Sequence, residues 1–525
     1  MTLRATMLRG VHAGWLRSMR PAWERFAAAA EDPTAAQHAI WARLAAAHGD
    51  TAYGRAHRLG AAKTLEAWRD QAPVVGWTEL APWVARAADG EPAVLSRAQI
   101  RRFERTSGSG GLEKWIPTTE PLLAEFQAAT SPWLYDLYTS HPGLLGTSAY
   151  WSVSPVARAP EISAGGHPVG VDDDTAYLSP VERALMRQML AVPAEVGQLR
   201  DVDAWRTATL RALLADEDLG LISVWSPSFL SRLMEALADG VGPLLGGLPA
   251  GRARHVREAI QRSGVTEALW PRLAVVSCWA DGAAADQISS LRCFFPRVTF
   301  QPKGLLATEG VVSIPIAGAD APVLAVASHF LELAPLGGGD PVGVADAEVG
   351  GRYVPILTTG SGFVRYRLPD VIEVVGRWKN TPTVRFRGRA DRASDLVGEK
   401  LDAPIVDAAL DAALVGAGLT PAFVMLAPCE NDPPRYELFV EADATNAALD
   451  ALAAAVEREL CKAFHYRYAR DLRQLRPVEA IRVADGARRY VEARVADGMR
   501  LGDVKPTRFE TTRGWAQRLL RATPL

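Results

Sequence analysis

Residues 106–114 read TSGSGGLEK and lie between predicted secondary-structure elements. Glycines let the backbone bend tightly and approach a ligand closely, and successive N–H groups in such a loop form a nest for an anion. The hydroxyls and Lys114 add donors for phosphate oxygens. Because the Walker A pattern GxxxxGK[ST] is absent, the segment alone fits either a phosphate-binding loop or a surface turn.

Two later segments place acidic residues after β-like sequence. Residues 307–310 (ATEG) follow the strand-like VTFQPKGLLA, and Glu309 at a strand end is suited to hold Mg2+ among phosphate oxygens. Residues 366–370 (YRLPD) lie in a β region, where Asp370 can accept both ribose hydroxyls. The alternatives are that Glu309 is a loop or helix-capping residue and that Arg367 and Asp370 form a structural ion pair.

The composition limits the class of protein. The 525 residues are 48% hydrophobic and 22% charged, with a net charge of −2, which is ordinary for a soluble chain of more than one domain. This charge argues against a nucleic-acid binder held by phosphate contacts. The four cysteines lack metal-ligand spacing and are too few for a disulfide framework, so a reducing cytoplasm is expected. No apolar run reaches the ~20 residues that span a bilayer, and nothing in the sequence indicates the oligomeric state.

Positive charge is unevenly distributed. The N-terminal stretch carries four arginines and no acid before Glu24. It is predicted to form the first, partly exposed helix, because no apolar region or cleavage site follows it; the alternative is a targeting or membrane-surface helix. Lysine is scarce, and since a lysine is a compact point charge that arginine does not replace, retained lysines hint at function. The seven lysines are Lys63, Lys114, Lys303, Lys379, Lys400, Lys462 and Lys505.

The pattern of elements predicts an α/β fold with two domains. A large N-terminal domain of β-sheets and packed helices is predicted over residues 1–388, and a small C-terminal α+β domain over residues 389–525. Apolar residues at helical spacing predict helices within 15–86, 121–141 and 180–215, and the runs LISVW and LAVVSCW predict buried strands. Residues 311–375 are mostly β-like. In the small domain, the order of elements predicts helices on one face of a sheet.

The ordered motifs TSGSGGLEK, ATEG, YRLPD and GRADR resemble the adenylate-forming superfamily of acyl-CoA synthetases, peptide-synthetase adenylation domains and luciferases. A finer resemblance, to the auxin-responsive Gretchen Hagen family of acyl-acid-amido synthetases with its bacterial members, runs almost end to end. The segments that carry it are TAYGRAH, PVVGWTELAPWVARAADGEPAVL, FERTSGSGGLEKWIP, LLATEG, LTTGSGFVRYRLPDVIEVVG, VRFRGRADRASDLVGEKL and GDVKPTRF.

The resemblance implies two catalytic lysines and a nucleotide site. The residues implied for the phosphate loop are Ser107, Gly108, Ser109, Gly111 and Lys114. Those implied for the rest of the nucleotide are Thr308, Glu309, Tyr366, Asp370 and Arg389. Within this set, Glu309 is the expected Mg2+ ligand, Asp370 binds the ribose, and Arg389 lies at the hinge between the domains. Lys505 matches the C-terminal lysine that stabilises the adenylation transition state.

The sequence departs from the superfamily pattern at two of these motifs. Gly110 stands where the phosphate loop usually has another hydroxyl, so one phosphate contact is expected to be missing. Pro369 replaces the usual glycine before the aspartate, and because proline fixes φ and lacks an N–H, that turn is expected to differ. Asp503 and Thr507 also differ from the common residues beside the C-terminal lysine.

By resemblance, ATP and Mg2+ are expected to activate a small carboxylic acid as acyl-AMP, with transfer of the acyl group to an amine such as an amino acid. Tyr150, Trp151 and Trp225 are candidates for the acid pocket, with core packing as the alternative. Two other functions stay open: an acyl-CoA ligase with coenzyme A as acceptor, and a catalytically silent ATP-binding protein. The particular acid and amine are not indicated.

Overall fold

The computed structural model describes most of the chain. The residues it describes are 3–107, 113–152, 161–170, 180–199, 201–238, 240–260, 265–281, 283–390, 393–394, 396–397, 399, 401–429, 433–499, 501, 504–505 and 507–520. The helices are α1 (Leu3–Glu31), α2 (Pro33–His48), α3 (Ala52–Ala56), α4 (Leu65–Gln71), α5 (Trp77–Ala88), α6 (Glu120–Ser140), α7 (Pro180–Met189), α8 (Val202–Ala215), α9 (Pro227–Ala238), α10 (Ala250–Ile260), α11 (Val265–Leu269), α12 (Ala283–Phe294), α13 (Ala403–Ala417), α14 (Asn446–Leu460), α15 (Phe464–Asp471), α16 (Gly486–Ala496) and α17 (Trp515–Leu520).

The strands form several sheets. They are β1 (Ile100–Ser107), β2 (Glu113–Thr119), β3 (Ser148–Trp151), β4 (Glu161–Ile162), β5 (Pro168–Val169), β6 (Leu219–Ser223), β7 (Val275–Cys278), β8 (Thr299–Pro302), β9 (Leu306–Ala307), β10 (Gly310–Val311), β11 (Ser313–Ile314), β12 (Val323–Leu324), β13 (Phe330–Pro335), β14 (Val342–Gly343), β15 (Arg352–Thr358), β16 (Tyr366–Arg367), β17 (Asp370–Trp378), β18 (Thr381–Arg389), β19 (Ala393–Ser394), β20 (Leu401–Asp402), β21 (Phe423–Cys429), β22 (Arg435–Glu441) and β23 (Glu479–Arg482). The mixed α/β class predicted from the sequence is confirmed.

The arginine-rich N-terminal stretch forms the long helix α1. Trp15 and Phe26 on this helix are buried in the main hydrophobic core, as expected for a first helix with one exposed face. The next helix begins where Asp32 accepts a hydrogen bond from the Ala35 N–H at 3.0 Å, a capping interaction that satisfies one of the free amides of a helix start. Among the helices that the structure describes, none combines the length and apolar character needed to cross a membrane.

A parallel sheet with the order β3-β6-β7-β8 is covered on both faces. Because side chains alternate along a strand, Leu221 and Val275 face the core shared with α6, whereas Ile222 and Val276 face a second core with α8 and α9. The predicted strands LISVW and LAVVSCW are therefore confirmed as β6 and β7. All four strands run in one direction, so their carboxyl ends lie at one edge of the sheet.

The larger antiparallel sheet has the order β11-β12-β18-β17-β15-β13-β14, with β16 paired to β15. Its strands account for most of the β-like sequence predicted over residues 311–375. The stretch predicted as helical over residues 180–215 is interrupted, since α7 ends at Met189 and Leu190 forms an isolated parallel bridge with Ala149 at β3. Pairing with a strand that is distant in sequence thus ends the helix within a segment whose apolar spacing predicts one continuous helical stretch.

The C-terminal sheet β21-β22-β23 is covered by helices on both faces, so the prediction of helices on one face is wrong. Val424 and Leu438 pack with α13 and α14 in one hydrophobic cluster. Met425 and Phe439, on the opposite face, pack with α16 and α17 in another. No clear sequence pattern predicts α17, because its six residues are too few for a helical period to stand out.

Candidate active site

The two residues Thr308 and Glu309 form the turn of a short hairpin. Gly310 of β10 pairs with Ala307 of β9, which leaves these two residues between the strands. A Cβ atom at Gly310 would lie 3.0 Å from the His329 Nε2 atom, which is closer than most Cβ contacts, so glycine suits this position beside the imidazole. Thr308 is half-buried, whereas Glu309 is 7% exposed, so the hairpin points a carboxylate into the protein.

The phenol of Tyr366 links Lys114 to Glu309. The Lys114 Nζ atom donates to the Tyr366 hydroxyl at 3.2 Å, and that hydroxyl donates to the Glu309 Oε1 atom at 3.3 Å. Lys114 comes from β2, Glu309 from the β9–β10 turn and Tyr366 from β16. Three predicted site residues that are distant in sequence therefore meet in one cluster.

The position of Tyr366 is fixed by its neighbours along the chain. Arg365 has a positive φ of 49°, which is unusual for a residue with a side chain, and its buried guanidinium bonds Glu332 at 2.9 Å. Val75 forms backbone hydrogen bonds with Arg365 and Arg367 on either side of the tyrosine. These contacts hold the backbone of β16 while its phenol reaches the cluster.

Burial dominates the electrostatics of this cluster. It raises the pKa of Glu309 above its ordinary value, and the nearby charge of Lys114 opposes that shift. Burial also raises the pKa of Tyr366, with a further contribution from Glu309, so the phenol stays a neutral donor. The charged form of a buried carboxylate is poorly solvated, so a cation that binds beside it stabilises that form strongly.

Asp370 and Arg389 face each other across the β17–β18 ladder. Asp370 is the first residue of β17 and its register partner is Arg389, the last residue of β18. Both are half-buried, and the charges of both act on Tyr366. The Ala390 N–H also donates to the Pro369 carbonyl at 2.8 Å, so the proline is accommodated in a turn that its carbonyl helps to close.

The glycine-rich segment is approached by two paired strands. Ser107, the last residue of β1, is the register partner of Glu113, the first residue of β2. The other predicted members of the phosphate loop, Gly108, Ser109 and Gly111, lie outside the described residues. Lys114 follows on β2 and reaches the Tyr366 cluster, so the lysine end of the motif is joined to the hairpin that carries Glu309.

The hairpin is supported by a buried pair that the sequence reasoning missed. The His329 Nδ1 atom lies 3.0 Å from the Glu125 Oε2 atom, and its Nε2 atom accepts from the Val311 N–H at 2.9 Å. Glu125 also accepts from the Gly360 N–H at 2.8 Å. His329, directly before β13, and Glu125 on α6 are single residues about 200 positions apart, so no local motif could reveal them.

Of the predicted pocket residues, Trp151 and Trp225 converge on one group and Tyr150 does not. The Lys303 Nζ atom lies 5.6 Å from the Trp151 ring and 4.5 Å from the Trp225 ring. Tyr150, on the other face of β3, is buried in the cluster with α8 and α9. Lys505 is exposed, and its Nζ atom lies 5.6 Å from the ring of Trp279, which follows β7.

The donor set suits a magnesium nucleotide. Carboxylate oxygen is the ligand type that Mg2+ prefers alongside phosphates, and Glu309 supplies one from a buried position beside the Lys114 ammonium. The half-buried Asp370 carries a carboxylate, which is the acceptor type that ribose hydroxyls require. Among the described residues, no cluster of three or more histidine, cysteine, aspartate or glutamate side chains is arranged to hold a metal by itself.

Comparisons with known proteins place this geometry in context. A GH3 domain-containing protein of Mus musculus is 30% identical over 333 residues, which are 60% of this chain and 59% of that protein. A probable indole-3-acetic acid-amido synthetase, GH3.2 of Oryza sativa subsp. japonica, is 25% identical over 72% of this chain and 70% of its own. The chain thus spans about three fifths of the mouse protein and 48% of a human GH3 domain-containing protein.

The fold also matches a solved structure, that of "AtGH3.15 acyl acid amido synthetase in complex with 2,4-DB". The TM-score is 0.83 at 18% identity, with 96% of this chain and 95% of that chain covered. Family models match in three consecutive blocks: the GH3 family N-terminal domain at residues 22–245, the central domain at 323–389 and the C-terminal domain at 406–513. These blocks cover most of the sequence, and the chain therefore belongs to the GH3 family.

Proposed function

We propose that this protein is an ATP-dependent acyl-acid-amido synthetase, which activates a carboxylic acid as acyl-AMP and transfers the acyl group to an amine such as an amino acid. The observation that carries the proposal is the cluster in which Tyr366 joins Lys114 to the buried Glu309, beside Asp370. It combines a cation, an acidic ligand and a ribose acceptor within a chain of the GH3 family.

Each group of nucleotide residues is assigned to one part of the ATP molecule. Ser107, Gly108, Ser109 and Gly111, with Lys114, hold the phosphates. Thr308 contacts the nucleotide next to Glu309. Tyr366 packs against the adenosine, Asp370 accepts from its ribose hydroxyls, and Arg389 reaches the ribose or a phosphate from the opposite strand. Mg2+, when bound by Glu309, supplies positive charge to the phosphate oxygens.

In the first half-reaction, a carboxylate oxygen of the acid attacks the α-phosphorus of ATP and pyrophosphate leaves. Such a transfer depends on positioning and charge neutralisation more than on covalent help from the protein. Lys114 neutralises phosphate charge from β2, and Lys505 supplies a second cation at the transition state. Preorganised orientation of this kind contributes on the order of 7–11 kcal/mol to lowering a barrier.

In the second half-reaction, the nitrogen of the amine attacks the acyl carbon, AMP leaves and the nitrogen loses a proton. The C-terminal part, residues 389–525, rotates relative to residues 1–388 about a hinge at Arg389 between the two steps. Lys505 moves with it and is withdrawn from the phosphate during transfer. The cytoplasmic location expected from the sequence stays a prediction.

The acceptor separates this proposal from an acyl-CoA ligase. The test measures acid-dependent exchange of pyrophosphate into ATP with a panel of acids, followed by product analysis with amino acids or with coenzyme A. We expect an amide and AMP from at least one acid and amino acid. Thioester without any amide would move the protein to the ligase class, and no exchange with any acid would indicate a silent ATP-binding protein.

A further inference from the structure

A buried lysine is surrounded by three indole rings at the edge of the parallel sheet. Lys303 is 3% exposed, and its Nζ atom donates to the Ser223 Oγ atom at 2.8 Å. The Nζ atom also lies 5.2 Å from the Trp133 ring, in addition to the rings of Trp151 and Trp225. We call these five residues the Lys303 box.

The box is built where an open α/β sheet binds ligands, outside the carboxyl ends of its strands. Trp151 ends β3, Ser223 ends β6, and Lys303 directly follows β8. Trp133 comes from α6 and is held by its Nε1–H, which donates to the Gln301 Oε1 atom at 3.0 Å. Four separate segments therefore supply one aromatic-walled group with a cation in it.

The box is connected to both parts of the candidate active site. Lys303 precedes Glu309 by six residues, so the two lie no more than about 20 Å apart. On the other side, the Trp279 N–H donates to the Trp225 carbonyl at 2.9 Å, and Lys505 lies over the Trp279 ring. The box thus borders the place where an acid has to meet ATP.

The buried cation is chemically informative. Removing an ammonium from water is costly, and an apolar side chain would fill the same space without that cost. A cation on the reacting carboxylate would stabilise the ground state of a group that loses its charge in acyl-AMP, which does not speed the reaction. A second anionic group keeps its charge throughout, so a cation there contributes to binding at every step.

We propose that the Lys303 box is the acid-selecting subsite and that the preferred acid has a flat or apolar body with a second, non-reacting anionic oxygen group. The body lies against the indole rings, Lys303 binds the second anion, and the reacting carboxylate points toward Lys505 and the nucleotide. This inference rests on the proposed acid activation and names the class of acid that it uses.

The test compares matched acids in acid-dependent pyrophosphate exchange. The pairs are benzene-1,4-dicarboxylate with benzoate and hexanedioate with hexanoate. We expect the wild type to prefer the diacid in at least one pair. Lys303→Met should lower kcat/KM for that diacid by roughly 10- to 100-fold, the range for a hydrogen bond to a charged group, mainly through KM. The matched monoacid should change by less than about threefold.

Two controls keep the result specific to the box. Lys379 also lies over an indole, with its Nζ atom 5.0 Å from the Trp378 ring, but away from the sheet edge, so Lys379→Met should leave the acid preference unchanged. Lys303→Gln provides a second neutral variant if Lys303→Met does not fold, as judged by thermal unfolding. Wild-type preference for monoacids, or equal losses on both members of a pair, would overturn this inference alone. Absence of exchange with every acid would overturn the proposed function as well.

Discussion

At the scale of single residues, the burial of Glu309 favours ligand binding but disfavours the stability of the folded protein. Its carboxylate is buried beside Tyr366 and Lys114, where it can hold a metal but is poorly solvated. Burial raises its pKa above the ordinary value of 4.5. The charged form is therefore disfavoured in the folded protein without a ligand, and the residue is expected to reduce stability in order to provide binding.

We predict that Glu309→Gln lowers the exchange of pyrophosphate by on the order of 100-fold, as losses of electrostatic stabilisation do, while raising the melting temperature of the unliganded protein. The sign follows from linkage. Because the pKa of Glu309 is higher in the folded state than in the unfolded state, the folded state binds the proton more tightly. Ionisation of this carboxyl as the pH rises therefore lowers the free energy of unfolding. The gain in melting temperature should be largest near pH 8 and vanish as the pH falls to about 4.5. Thermal unfolding at a series of pH values measures it.

An exposed glutamate serves as the matched control for this substitution. Glu258 lies on α10 at the surface, so Glu258→Gln should change neither exchange nor the pH profile of the melting temperature. A Glu309→Gln variant that melts lower than the wild type at pH 8 would contradict the assignment of an unfavourable buried charge.

At the scale of elements, the hairpin β9–β10 depends on packing that is distant in sequence. Its strands have two residues each, too short to be stable alone. The Glu125–His329 pair holds it through the Val311 N–H, only two positions after Glu309. His329 is thus a positioning residue, which fixes the carboxylate without being placed among the groups that touch the nucleotide.

We predict that His329→Leu lowers the free energy of unfolding by about 2–4 kcal/mol, because it leaves the buried Val311 N–H and Glu125 without their shared partner. The KM for ATP should rise while the preference between acids stays the same. Urea unfolding and exchange kinetics measure the two effects. His38→Leu, at an exposed position on α2, is the control; a change in acid preference in His329→Leu would show that the pair acts elsewhere.

The sequence predicted elements better than it predicted their partners. The helix predicted over residues 121–141, which is α6, and the strands β6 and β7 follow from apolar spacing, which is local information. The meeting of Lys114, Glu309 and Tyr366 was expected only by resemblance to a family. The pair of His329 and Glu125 had no signal, because each is one polar residue whose role depends on how α6 packs against the segment that leads into β13.

At the scale of the whole molecule, the described residues of the C-terminal part contact the parallel sheet and its covering helices through the following side chains. Leu501 packs against clusters on both sides, Arg232 of α9 lies 3.4 Å from Glu492 of α16, and Lys505 lies on Trp279. Exposed ion pairs of this type contribute about 0–1 kcal/mol. Weak contacts of this kind can break and re-form, as the proposed rotation between the two half-reactions requires.

We predict that Lys505→Ala impairs acid-dependent pyrophosphate exchange far more than it impairs amide formation from preformed acyl-AMP, by at least about 100-fold in the first step. The lysine is needed only where charge develops on the phosphate. Parallel assays of the two half-reactions measure this. Lys462→Ala, an exposed lysine in the same part of the chain, should affect neither, and equal losses in both steps would refute the assigned role.

The Lys303 box and the nucleotide cluster stand on different sheets. The walls of the box come from α6 and from the ends of β3 and β6, and its lysine follows β8, whereas Tyr366 and Lys114 belong to β16 and β2. The tryptophans can therefore be replaced by other side chains, in evolution or by design, without changing the residues proposed to bind ATP. With this arrangement, the preferred acid can change from one protein to another while the activation step stays the same.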